Sequence, residues 1–557
     1  MTHIKNRENW GSRIGLIFAM AGFAVGFGNF LRFPVQAVQN GGGAFIIPYL
    51  VCFLLIGIPT LFVEWSVGRL GGKFGHHSSP FILQQLHKNP VWKYIGVFGI
   101  FTPVVIASYY TFLESWTLSY IFHSLFGSFH DKTQSEVINL FNSYISLKES
   151  TLFPFESIIF FIITIFINIY ILSKGLRKGI ERVAKIGVSL LIFFGIFLAI
   201  KAITIQEGVQ GAINDGTVGL NYLWTPDYSS LWNPKVWLAA AGQIFFTIGI
   251  GWGTIQCYSS YLKENDDIVL SSMSAGWTNE FVEIVIGASL VIPLAVGYLG
   301  LEKMQDLANL GGLSLAFKTI PYLFSQWGPG WSEIAGFMWF GLLFLAGITS
   351  SLAMGSPFIS FMEDEYQWTK KKSASVFGFI IFTLGLPTVL LFDYGVFDEY
   401  DYWTGTFCLF VFAMLEIILF SWFFGLNKGW KEITKGADIR IPVIFKFVLK
   451  YITPFMLIIV FLGSLVKPEN SEWFDAFIRL LNGNGWILDN SSILKQTVNF
   501  GLKEQITATN DLNAQLFLRK KLWFGNATKI VLICVFGIFS ILIYRASKKH
   551  SYNNKTL

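Results

Sequence analysis

Between Gly22 and Asn29 the sequence reads GFAVGFGN, and Leu31-Arg32-Phe33-Pro34 follows at once, all within the first hydrophobic segment. Three glycines, an amide and a guanidinium suit a lipid-facing helix badly, because each weakens the helix or must leave hydrocarbon. Something other than lipid must face them. A broken helix can offer main-chain oxygens and N–H groups to a polar guest held away from water. A second apolar segment, Val236–Tyr258, is interrupted in the same manner at Phe246-Thr247-Ile248-Gly249-Ile250-Gly251-Trp252-Gly253. Two glycine-broken membrane helices at corresponding places in two halves of a chain point to a secondary transporter with a site near mid-membrane.

The elements that position these residues are membrane spans. Of 557 residues 53% are hydrophobic and 14% charged, and the mean hydropathy is +0.53, the balance of a polytopic membrane protein. Apolar runs of roughly 18 to 25 residues predict spans near 14–37, 43–68, 91–125, 156–173, 184–204, 236–258, 270–299, 332–361, 373–392, 402–425, 447–466 and 528–545. The expected fold is thus an all-α polytopic membrane protein with 12 transmembrane helices. Residues 14–204 and 236–425 read as two five-helix units, each with a broken first helix. Around them lie an N-terminal segment 1–13, an outer loop 205–235, an eleventh span 447–466, a polar outer insert 467–527, a last span 528–545 and a tail 546–557. Within the insert, Trp473–Leu481 reads as a packed loop element, with a short amphipathic helix lying on the membrane as the alternative.

Lys5, Arg7 and Arg13 precede the first span, and Lys174, Arg177, Lys178, Arg182 and Lys185 join the fourth and fifth. Lys370–Lys372, Lys428, Lys431, Lys435, Arg545, Lys548 and Lys549 fall on the same side, which predicts cytoplasmic termini. Arg519-Lys520-Lys521 is the exception, outside by parity. Orientation and anionic lipid account for the net charge of +6, so no nucleic acid is needed. Cys52, Cys257, Cys408 and Cys534 sit in apolar segments without CxxC spacing and read as packing residues. The histidines offer no metal-ligand pattern, and the first apolar run, too long and containing Arg32, does not read as a cleaved signal.

The run Arg7-Glu8-Asn9-Trp10, then Ala21 through Pro34, then Asn40-Gly41-Gly42-Gly43-Ala44-Phe45, resembles the neurotransmitter:sodium symporter family, most closely its bacterial leucine-transporter-like branch. Glu64-Trp65, Gly68-Arg69, Tyr109-Tyr110, Gly242 to Thr247, Asn279-Glu280, Ala346 to Ser351 and Asp401 to Thr406 extend the resemblance over residues 7 to about 455. It implies inverted repeats, sodium-coupled alternating access and two sodium ions. The first ion site would comprise the Ala24 carbonyl, Asn29, Thr247, Asn279 and the substrate's own carboxylate, which would couple ion to substrate. The second would comprise the Gly22, Val25 and Ala346 carbonyls with the Thr349 and Ser350 hydroxyls. Taken singly, Asn29 or Thr349 is an ordinary interhelical hydrogen-bonder; the set as a whole carries the argument.

Glu64, Glu114, Glu280, Glu283 and Glu416 fall within predicted spans, where an unpaired charge costs several kcal/mol. Glu283 stands four residues after Asn279, where chloride-dependent family members resemble one another in carrying a serine. The resemblance therefore implies chloride-independent transport, with Glu283 supplying the negative charge beside Tyr49, Gln243 and Thr247.

By the same resemblance the substrate amine would meet helix carbonyls and Ser350, and its carboxylate the first sodium, Tyr110 and the Gly26 and Gly28 amides. Gly26 stands where monoamine carriers have aspartate, so an amino acid is expected. Phe23, Ala24, Phe27, Ile106, Phe246, Thr247, Gly249, Trp252, Ser350 and Met354 complete the expected pocket. The side-chain-selecting residues are uncharged, so a neutral side chain, small or apolar, is expected. Gly249 is expected to open the pocket and Trp252 to narrow it. Arg32 and Asp401 form the expected outer gate; Arg7 and Asp364, with Tyr261 and Trp10 nearby, the inner one. The chain lacks HExxH and G-x-S-x-G, so it is not read as an enzyme. A non-transporting amino-acid-binding membrane sensor is the alternative. The expected setting is the cytoplasmic membrane, as a monomer or weak homodimer.

Overall fold

The computed structural model describes residues 8–146 and 155–553, which are helical throughout with no β-strand among them. Ten helices are long and apolar enough to cross a bilayer: α2 (Gly42–Lys73), α3 (Val91–Leu125), α4 (Phe155–Ser173), α5 (Leu176–Ile203), α7 (Val269–Leu299), α8 (Trp331–Tyr366), α9 (Lys370–Leu390), α10 (Val396–Thr434), α11 (Ile444–Leu465) and α12, whose apolar crossing lies within Leu512–Lys549. An eleventh, α1, is bent by 46° between α1a (Arg13–Ala24) and α1b (Gly28–Gln39). Between α5 and α7 the chain forms α6, split into α6a (Pro234–Thr247) and α6b (Thr254–Ser259). The sequence thus places its breaks correctly.

The two breaks have different chemistry. Ser12 caps α1a by accepting the Gly15 N–H at 3.0 Å, and Val25, at ψ 89°, leaves the helix after its N–H reaches Ala21 O. The chain re-enters through a widened turn in which the Phe33 N–H returns to Gly28 O, five residues back, a local form that recurs at functional sites. In α6, by contrast, Gly249, Gly251 and Gly253 take φ of 67°, 77° and 71°, the left-handed region that side chains resist. Glycine at alternate positions is what that unwound turn demands.

Burial sorts the helices into layers. The spanning windows of α3 and α7 are 89% buried, whereas those of α11 and α12 are 28% and 22% buried and face the membrane. α1 packs against α5, α7 and α8; both halves of α6 pack on α2; α8 runs along α3. The broken helices therefore lie at the centre of the bundle.

α12 begins at Leu512, well before the apolar stretch expected at 528. Arg519, Lys520 and Lys521 keep hydropathy low there without opposing helix formation, so the apolar pattern marks only the crossing part. Between α7 and α8 the chain forms short helices, the first at Leu301–Asn309 and the others between Gly312 and Ser325.

Candidate functional site

Asn29, on the widened turn of α1b, connects the two breaks. Its Oδ1 accepts the Gly26 N–H at 2.9 Å and its Nδ2 donates to Asn279 Oδ1 at 2.9 Å. Asn279 Nδ2 donates to Thr247 Oγ1 at 3.1 Å. Glu283 lies beneath, fully buried, accepting from Tyr49 Oη at 2.8 Å and from Gln243 and Thr247. A second widened turn, in which the Ala288 N–H returns to Glu283 O, carries Glu283, and Asn279 lies just before it on α7. Amide, hydroxyl and carboxylate oxygens from α1, α6 and α7 thus converge in a site shut off from solvent. Hard oxygen donors of this kind suit an alkali cation.

A second oxygen cluster joins α1a to α8. Thr349 Oγ1 donates to Gly22 O at 2.6 Å and lies 3.1 Å from Ala346 O; Ser350 Oγ lies 3.0 Å from Phe23 O and 3.1 Å from Ala346 O. Val25, the remaining residue expected here, is buried at the break.

A small cavity of about 20 Å³ lies between the clusters, lined by Phe23, Ala24, Gly26, Phe27, Gly28, Asn29, Tyr110, Phe246, Thr247, Gly249, Trp252, Ser350 and Met354. Ile106, expected among them, instead lines a vestibule of about 360 Å³ that opens at the end of the bundle opposite the N-terminus. Phe27, Gly28, Tyr110, Phe246 and Trp252 border both spaces and form the wall between them. A Cβ on Gly26 would stand 2.9 Å from Tyr110 Oη and 3.4 Å from Ser350 Oγ. A Cβ on Gly249 would overlap the Phe23 ring, which itself packs edge-on to Trp252 at 5.4 Å. Phe23 therefore occupies the room that Gly249 was expected to open.

Arg32 and Asp401 both line the vestibule, but no ion pair joins them among the described residues. The Arg32 guanidinium lies 4.4 Å over the Phe246 ring, and Asp401 accepts from Tyr109 Oη at 2.8 Å. On the opposite face Arg7 falls outside the described residues. Its expected partner Asp364 accepts the His77 N–H at 2.9 Å, and Tyr261 stacks on His77 and bonds Ser360 at 2.9 Å. Trp10 packs on Tyr258 and donates to its carbonyl at 3.0 Å.

Sequence reasoning missed an ionic clamp on this N-terminal face. Arg13 reaches Asp267 at 2.8 Å and Asp438 at 2.6 Å, and Glu181 accepts the Gly11 N–H at 2.7 Å. The Arg13 hydrogen bond holds the Asp438 carboxyl below its usual pKa. Sequence signals existed only as isolated charges at helix ends. Two buried carboxylates flagged in the sequence also find roles: Glu64 accepts the Gly251 N–H of the unwound turn at 2.6 Å, and Glu114 accepts from Asn168 at 3.3 Å.

Two broken helices around a central cavity, with oxygen clusters on either side, define a secondary transporter. The chain belongs to the sodium:neurotransmitter symporter family, whose model matches residues 7–140 and 131–507. An uncharacterized sodium-dependent transporter of Methanocaldococcus jannaschii is 31% identical, over 82% of this chain and 90% of that protein. The sodium-dependent nutrient amino acid transporter 1 of Drosophila grimshawi is 24% identical over 86% of this chain and 80% of its own length. Among solved structures, MhsT in complex with L-phenylalanine is similar with a TM-score of 0.70 at 29% identity, covering 82% of this chain and all of MhsT. The protein is thus a sodium-dependent secondary transporter, not an enzyme.

Proposed function

We propose that this transporter couples two sodium ions to the uptake of a neutral amino acid with an apolar side chain at the small end of the range, without chloride. The observation that carries the reading is Asn29, which bonds the Gly26 amide on the cavity wall and Asn279 in the oxygen cluster at once. An ion held by Asn29, Thr247 and Asn279 would share that wall with the substrate carboxylate, so each would raise the other's affinity by the same factor. The cluster at Gly22, Ala346, Thr349 and Ser350 supports a second ion.

Gly26 supports an amino acid over an amine, because a side chain there would strike Tyr110 and Ser350. The Phe23 ring, packed where Gly249 lacks a side chain, supports a small one. Glu283 supports chloride independence: its carboxyl, accepting from Tyr49, Gln243 and Thr247, stands where its own negative charge would replace the anion. The basic loops at the N-terminal face support cytoplasmic termini in the inner cell membrane, which makes the vestibule face external.

Transport follows if the site opens to one face at a time and binding shifts the populations of the two forms. No covalent step is required. The test is a thermal-shift series with the common amino acids, in sodium and then in potassium. A neutral amino acid is expected to stabilise the protein in sodium only, and Asn29→Ala to abolish that stabilisation. Equal stabilisation in potassium, or an unaffected variant, would refute the reading.

A further inference from the structure

The segment after α11 folds back on the end of that helix. Pro468 and Leu488 form an antiparallel bridge, Glu469 N–H donates to Ile487 O at 3.0 Å, and Asp489 N–H to Lys467 O at 2.8 Å. Inside this closed segment Trp473–Leu481 forms a helix of 9 residues.

Its side chains divide among three faces. Ala476 is buried and Trp473 lies on α11, where its ring stands 3.4 Å from a Cβ built on Gly463. Asp475 and Arg479, one turn apart, point to water, Arg479 within 3.4 Å of Glu469. The third face carries Phe474, Phe477, Ile478 and Leu481, which are 77%, 54%, 40% and 85% exposed. Spacing at i, i+3, i+4 and i+7 makes this one continuous stripe.

What covers the stripe is indicated by its neighbours. The outer turns of α11 leave Ile459, Leu462 and Val466 exposed, as befits a span facing lipid, and the helix is seated on that same end. Trp486, which packs on Trp473 and Phe477, donates its indole N–H to Val466 O at 2.8 Å. Two tryptophans at the end of a span mark the depth of the membrane–water interface, where their rings are favoured. An apolar stripe beside them, with charges on the opposite side, matches an interfacial helix.

We propose that the Trp473–Leu481 helix lies in the headgroup region of the leaflet at which α11 ends, with Phe474, Phe477, Ile478 and Leu481 turned into the acyl boundary. The insert is then a membrane-resting cap on α11, held to the bilayer from its own side. The inference is independent of the transported substrate and of which face is external.

The test uses the full chain carrying Cys534→Ala, since Cys534 is the one exposed cysteine among the described residues. Phe474→Cys, Leu481→Cys, Asp475→Cys and Arg479→Cys are each labelled with an environment-sensitive dye. They are then reconstituted in vesicles of phosphatidylcholine and phosphatidylglycerol, with gel filtration to verify folding. Dyes at 474 and 481 are expected to emit at shorter wavelength and to be quenched several-fold more strongly by spin-labelled lipid than dyes at 475 and 479, with iodide giving the reverse order. Iodide quenching as strong at 474 and 481 as at 475 and 479 would overturn the proposal. So would dye–dye self-quenching that grows with protein density, which would assign the stripe to a second copy.

Discussion

The ring of Phe23 lies against Gly249, filling the space in which a side chain at that glycine would stand. Beside Gly249 the pocket is thus limited by a removable ring on α1a, with Trp252 of the unwound turn of α6 packed against it. Phe23→Ala should relax selection by size. Competition against a labelled substrate is expected to show large apolar amino acids binding about tenfold more tightly than to the wild type, equivalent to ~1.4 kcal/mol. Unchanged rank order would mean that Phe23 does not set the limit.

Gly26 presents its Cα to Tyr110 Oη and Ser350 Oγ. Gly26→Ala must displace one of these groups, so substrate-dependent stabilisation in sodium is expected to disappear while the protein stays folded. Retained binding would show that the substrate does not lie against this glycine.

On the proposed reading Glu283 takes the place of the anion. Replacing chloride by gluconate is expected to leave wild-type substrate binding unchanged. Glu283→Ser removes the charge and should lower sodium affinity at least tenfold in gluconate, with recovery in chloride. A chloride requirement in the wild type would contradict the assigned role.

The ion pair of Arg13 with Asp267 ties the start of α1a to the segment before α7, and Cys257, buried and 3.3 Å from Ser360 Oγ, is a native reporter of any opening on that face. Because Arg13 is 41% exposed, the pair contributes only about 1 kcal/mol. Asp267→Asn is therefore expected to raise the rate of Cys257 alkylation roughly fivefold, without unfolding. An unchanged rate would mean that the pair does not restrain the gate.

The two helix breaks were legible because their chemistry is local, whereas the ion and substrate sets came from the family resemblance. Three alternate glycines in one apolar run have few uses besides an unwound turn, and Asn29 and Thr247 lie beside the breaks they serve. The widened turns that aim Asn29 and Glu283 were not legible, since a shift from four-residue to five-residue hydrogen bonding leaves no compositional trace. Nor was the clamp of Arg13 with Asp267 and Asp438, whose partners are brought together only by the packing of distant helices. Ile106, one turn of α3 from Tyr110, borders the vestibule rather than the small cavity, a distinction that family resemblance does not resolve. The early start of α12 escaped a reading that equated helix with apolar run.

The central claim is that ion and substrate share one site and move together. In proteoliposomes without any other gradient, an inward gradient of the stabilising amino acid is expected to drive radioactive sodium inward, and Asn29→Ala to abolish this. Sodium uptake indifferent to the amino acid gradient in the wild type would contradict the account.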